Sequence, residues 1–170
     1  MKTRSALALL AAAALTAGGA RADEPFSPYG TAKADMRAMP AVDVVFDVNY
    51  GDPKDLRLLY GFIRSTVRQT RGKVVVVTHG PELRAFAKEN YQRYQGSVDQ
   101  LAELAKEEGV EFRMCGEAMR LAGFAAQDMH GYITIVPNGF AELAYWQSQG
   151  YRYLSPAPYS TLDVRYLEHP

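Results

Sequence analysis

Cysteine is nearly absent from this chain: Cys115 is the only one in 170 residues. A lone cysteine excludes an internal disulfide, so the fold must be held by its apolar core. A surplus of one charge is missing as well. The 19 basic and 19 acidic side chains cancel; taking away Lys2, Arg4 and Arg21, all within the first 22 positions, leaves 16 basic against 19 acidic, a net of −3. Without clustered Lys and Arg to displace phosphate counterions, nucleic acid is not an expected partner. A membrane-spanning run is lacking too, because the apolar stretch at 6–17 is shorter than the roughly 17–25 residues a spanning helix needs and is followed by Gly18-Gly19. No stable membrane anchor is expected. Neither G-x-G-x-x-G nor a Walker pattern occurs, no G-x-S-x-G elbow is present, and no His, Cys and carboxylate spacing suits a metal. Cofactor: none expected; metal: none expected.

What is present begins with a leader. Met1-Lys2-Thr3-Arg4, the apolar centre, and Ala20-Arg21-Ala22 before Asp23 follow the layout of a secretory signal peptide over residues 1–22, with small residues at the −3 and −1 positions. The protein is therefore expected to be exported, to a periplasmic compartment. No cysteine follows Ala22, which excludes lipidation at the cleavage point. Residues 23–40 carry three Pro, one Gly and no sustained period, and read as an extended arm. Residues 155–170 hold three more Pro and read as an extended tail. One domain spans residues 41–154.

Within it, strands and helices alternate. Residues 41–50 (AVDVVFDVNY) are rich in β-branched and aromatic side chains and read as a strand. Asp52 then caps a helix with Pro53 in its first turn, and Leu56, Leu59, Tyr60, Ile63 and Val67 form its buried face until Gly72 closes it. The continuous run KVVVVT at 73–78 reads as a strand covered on both faces, as parallel sheets require. Pro81 opens a helix to about Asn90; a polar break precedes a second helix that starts at Ser97, whose capping-box partner is Gln100, and ends at Gly109. A strand at 110–114, a short helix from Cys115-Gly116 through Ala122, a strand at 132–136, a helix from Gly139 to Gly150 and a strand at 151–154 complete the series. This alternation predicts an α/β fold, a three-layer α/β/α sandwich around a mainly parallel five-stranded sheet.

In such sheets ligands bind beyond the carboxyl ends of the strands. That edge presents Asn49 after the first strand, His79 and Gly80 after the second, Cys115 and Gly116 after the third, and Asn138 after the fourth. Asn49, Gly80, Gly116 and Asn138 are candidates for a ligand-binding crevice, and Cys115 with His79 for its chemistry. At a strand-to-helix junction the Cys115 sulfur would meet backbone N–H groups and the positive end of a helix dipole, which stabilise a thiolate. Free cysteine is also among the most buried residue types, so a packing role stays open. His79 would serve as proton acceptor or hydrogen-bond donor to Cys115, or simply cap the helix that Pro81 opens. Tyr91, Tyr94, Tyr151 and Tyr153 form an aromatic surplus open to a core role, but amphipathic Tyr is also enriched at protein interfaces, which points to an oligomer.

Three segments then carry a resemblance: V-V-V-T-H-G-P-E-L at 75–83, L-x-x-E-E-G-V-E-F-R-M-C-G-E-A-M at 104–119, and V-P-N-G-F-A-E-L-x-x-W-Q-S-Q-G-Y-R-Y at 136–153. The chain from Val42 onward resembles the DsrE/DsrF-like family, small α/β proteins associated with sulfur metabolism. The resemblance implies a DsrE-like fold, a homo-oligomer, and at most a sulfurtransferase-like activity. In the family's cytoplasmic sulfur-trafficking members a cysteine at the end of the third strand carries persulfide sulfur between proteins, a role that maps onto Cys115. A sulfur donor or acceptor protein would then be the partner. The alternative is a non-catalytic oligomeric module that binds a small ligand or protein partner, with Cys115 structural.

Overall fold

The computed structural model describes residues 28 and 30–158. The expected leader at 1–22 lies outside the described residues, as do 159–170 of the expected tail. The chain divides into two units, Met1–Arg37 and Ala38–Pro170. In the first, described residues 30–37 hold neither helix nor strand, and Arg37 pairs with Asp35 at 3.2 Å.

In the second unit five strands alternate with helices, and the reason is the spacing of apolar residues. β1 (Val42–Val48) leads through a 3-10 turn into α1 (Leu56–Thr70), which returns to β2 (Arg71–Thr78). α2 (Tyr91–Glu107), β3 (Glu111–Cys115), α3 (Gly116–Leu121), β4 (Ile133–Val136), α4 (Gly139–Ser148) and β5 (Arg152–Leu154) follow. The sheet order is β4-β3-β2-β1-β5 and every pairing is parallel. The α/β class and the three layers are as the sequence predicts.

Strand alternation sorts the side chains onto two faces. Val44, Phe46, Val48, Val74, Val76, Phe112 and Met114 pack with Leu56, Leu59 and Ile63 of α1, Val98, Leu101 and Leu104 of α2, and Met119 of α3. The opposite face is thinner: Val45, Val75 and Val77 meet Leu143, Trp146 and Tyr151, so α4 covers it. A polar clasp fixes α4 there. Glu142 accepts from Trp146 Nε1 at 2.7 Å and pairs with Arg113 of β3 at 3.0 Å, while the Arg113 guanidinium lies 5.0 Å from the Trp146 ring.

Several boundaries differ from the sequence expectation. Asp52 does cap, accepting from Lys54 N at 2.9 Å, with Pro53 at the first position, but of a 3-10 turn that runs on into α1. Gly72 does not close α1. Arg71 does, in the left-handed conformation at φ 53, and Gly72 lies inside β2, where a Cβ would run into the Val42 carbonyl. The α-helix expected at 81–90 is instead two 3-10 turns, Pro81–Phe86 and Lys88–Asn90, parted by extended Ala87, which bridges to Met129. The polar break ahead of Ser97 is helical: α2 starts at Tyr91, because Tyr91 and Tyr94 pack on the main core one and two turns before Val98, and that burial outweighs the roughly 1 kcal/mol cost of Gly96 within a helix. Cys115 closes β3 rather than only opening α3.

Candidate functional site

The site forms where β1, β2 and β3 end side by side. Its foundation is a residue the sequence reading passed over. Pro81 starts a tight turn that folds Glu82 back into the protein, where it is 0% exposed. Its Oε1 accepts from His79 N at 3.1 Å, from Gly80 N at 2.9 Å and from the Thr78 hydroxyl; its Oε2 accepts from Tyr50 N at 2.8 Å. One carboxylate thus joins the segment after β1 to the loop after β2. Burial pushes the Glu82 pKa up, and the Thr78, Gly80 and Tyr50 donors pull against that rise. A Cβ at Gly80 would collide with Glu82 Oε2 and Asn49 Oδ1, so a larger residue there would displace the Glu82 carboxylate from its donors.

With its backbone held by Glu82, His79 directs its ring across the sheet edge. Nε2 lies 2.6 Å from Asp47 Oδ1, and the His79 side chain is 6% exposed. The other Asp47 oxygen accepts from the Tyr153 hydroxyl of β5. This bond, followed by burial, raises the Tyr153 pKa. Phe140, at the start of α4, lies against the His79 ring with centroids 4.9 Å apart. His79 is therefore not a helix cap: the cap position belongs to Gly80, which makes no side-chain cap bond, and the ring is engaged with Asp47.

Cys115 ends β3 with φ −61 and ψ 113, and its Sγ accepts from Ala118 N at 3.5 Å in the first turn of α3. It is buried, at 5% exposure. Gly139 brings it toward His79. A Cβ on Gly139 would stand 3.1 Å from the Cys115 Cβ and 3.1 Å from the His79 Cβ, so these two carbons lie within twice that distance of each other.

The remaining candidates divide. Asn49 and Gly80 join His79, Arg84, Ala118 and Leu121 in lining a cleft of about 280 Å³, and Cys115 is not in its lining. Gly116 and Asn138 do not line it. Gly116 allows close approach of α3 to β4, where a Cβ would come within 2.9 Å of the Val136 carbonyl. Asn138 spends its side chain on two helices, Oδ1 accepting from Ala141 N at 3.0 Å and Nδ2 donating to Glu117 at 2.8 Å. Among the described residues no group of three His, Cys, Asp or Glu is arranged to hold a metal ion. Asp47, Glu82, Gly139 and Tyr153 are the members the sequence reading missed. Asp47 left one signal, a carboxylate next to the carboxyl end of a strand that is otherwise apolar from Val44 on.

Comparison with known proteins places this geometry. No curated protein matches the sequence. Among solved structures, a protein of unknown function from Methanobacterium thermoautotrophicum is similar at 22% identity and a TM-score of 0.58, over 68% of this chain and 99% of that one, a likeness of fold. The family model for the DsrE/DsrF-like family matches residues 39–156, which include all five strands, Cys115 and His79. The chain therefore belongs to the DsrE/DsrF-like family and has a role related to sulfur metabolism.

Proposed function

We propose that this protein is a sulfur carrier that accepts sulfane sulfur on Cys115 as a persulfide and passes it to an acceptor. The observation that carries the reading is that Cys115 and His79 are brought together by their Cβ atoms at Gly139, with His79 lining an open cleft. With polysulfide as donor the step balances without an outside oxidant. The Cys115 thiolate, the nucleophilic form, attacks the terminal sulfur; an S–S bond forms on the cysteine, the adjoining S–S bond breaks, and polysulfide shorter by one atom departs. The Ala118 N–H beside Sγ supports an anionic sulfur at that position. The leader pattern at 1–22 supports an exported setting for this chemistry.

The test is intact mass after exposure of the protein to polysulfide. A gain of about 32 Da, blocked by prior alkylation and absent in Cys115→Ser, is the expected result. Loading of Cys115→Ser at the wild-type level overturns the assignment. The burial of Cys115 favours a second reading, a binding module in which the thiol only packs. That reading expects no adduct, and no alkylation until the protein is unfolded.

A further inference from the structure

Asp47 is out of place for a packing residue. Along β1, Val44, Phe46 and Val48 enter the main core, while Val45 and Asp47 fall on the face covered by α4, and the Asp47 side chain is 15% exposed. A carboxylate so placed is costly unless its oxygens are satisfied. Both are: Oδ1 meets His79 Nε2 at 2.6 Å and Oδ2 accepts from the Tyr153 hydroxyl. An ionised carboxylate has only acceptor sites, so the proton in the 2.6 Å contact belongs to Nε2. In the neutral ring Nδ1 then carries the lone pair. It has no hydrogen-bond partner among the described residues, and His79 lines the cleft.

We propose that Asp47, steadied by Tyr153, is a positioning residue that holds His79 as the Nε2–H tautomer and so presents Nδ1 as the base for the Cys115 thiol. The inference rests on the sulfur-carrier reading for its chemistry, though not for its geometry. The S–H bond breaks as the proton passes to Nδ1; the thiolate takes the terminal sulfur of polysulfide; the shortened polysulfide leaves and recovers the proton from the imidazolium. The titratable and charged groups near the ring are Asp47 from β1 and Tyr153 from β5, with Cys115 of β3 brought near by its Cβ at Gly139 and Arg84 lining the same cleft. Glu82 holds only the His79 backbone N–H, and α4 contributes the uncharged Phe140.

The experiment uses the full chain. Long-range ¹⁵N–¹H correlation reads the His79 tautomer, and intact mass follows sulfur loading from polysulfide against pH for wild type, Asp47→Asn and Tyr153→Phe. The expected result is an Nε2–H ring in wild type, lost in Asp47→Asn because the amide can offer its own N–H to Nε2. Loading by that variant should slow about tenfold or more near neutral pH, with the deficit closing at alkaline pH where thiols ionise unaided. Tyr153→Phe, a change at a half-exposed hydroxyl, should slow loading by a smaller factor and keep the fold. An Nδ1–H ring in wild type overturns the proposal, as does an Asp47→Asn variant with the wild-type rate and pH profile. If wild type takes up no sulfur, the carrier reading fails by itself. The tautomer and the rate of Cys115 alkylation by iodoacetamide in the same variants then decide the role of Asp47, unchanged values overturning it.

Discussion

At the scale of single residues, the protein withdraws Glu82 fully, and His130 in part, from water for opposite ends. Glu82 is buried but fully used: three backbone N–H groups and the Thr78 hydroxyl end on its carboxylate. Leaving a buried donor unpaired costs about 1–3 kcal/mol each, so Glu82→Ala should lower stability by at least about 3 kcal/mol in urea unfolding, a large share of the 5–15 kcal/mol usual for a domain. Glu82→Gln should cost less, since one oxygen remains to accept. A loss below about 1 kcal/mol for Glu82→Ala would show that the carboxylate does not join the β1 and β2 segments. His130 is half-buried, without such use. It lies between the Tyr91 and Tyr132 rings, with centroids 6.2 and 4.5 Å away, and its Nδ1 is buried with no partner. Burial lowers its pKa below 6.5, Asp99 opposing the shift and Lys88 adding to it. The folded protein thus binds this proton less tightly than the unfolded chain does. The stability this neutral ring contributes is present above pH 6.5 and is lost as the pH falls through the folded-state value. His130→Phe keeps an aromatic ring and removes the titration, so its urea midpoint should fall less than that of wild type between about pH 7.5 and 5.5. Parallel curves for the two proteins would refute that account.

At the scale of elements, α2 shows where sequence patterning speaks and where tertiary contact overrides it. Its apolar face from Val98 to Leu104 is plain in the sequence, yet its first turns, with Tyr91, Tyr94 and Gly96, look like a loop until the core that receives the two tyrosines is known. Gly96 makes a direct test. A Cβ at that position meets nothing within 4 Å, so Gly96→Ala should stabilise the protein by about 0.5–1 kcal/mol through helix propensity and a stiffer unfolded chain, seen as a higher Tm. A lower Tm would mean that residue 96 is not in a helix. The strands were the most legible elements, because Val74 through Val77 have no polar face to offer water, and only a sheet covered on both sides hides them. The 81–90 stretch was not legible as 3-10 turns. Its geometry is set by Glu82 reaching back to Tyr50, a partner 32 residues away that no local pattern announces.

At the scale of the whole molecule, the same limit governs the site. The rule that ligands gather at strand ends was enough to bring Cys115, His79, Asn49 and Gly80 to one edge. Asp47 and Tyr153 escaped it because one lies within a strand and the other on the last strand, 106 residues further along the chain. Closing the sheet with β5 beside β1 is what makes them neighbours. That closure also leaves one face thinly covered, with only α4 over it among the described residues and Phe140, Tyr145 and Tyr153 at 67%, 53% and 45% exposure. Amphipathic aromatics in such numbers are enriched at protein interfaces, and two of the three touch the His79–Asp47 pair directly. We therefore expect the protein to self-associate through this face, so that a second copy borders the His79–Asp47 pair. Sedimentation equilibrium at about 50 µM should give a multiple of the chain mass, since such interfaces bury enough surface to hold at micromolar concentration. Tyr145→Glu, which places a charge on the exposed face without touching His79 or Asp47, should shift the protein toward the single chain while leaving its far-UV circular dichroism unchanged. A wild-type protein that sediments as one chain at that concentration would mean that the aromatic face stays open to solvent, and that the His79–Asp47 pair is bordered by this chain alone.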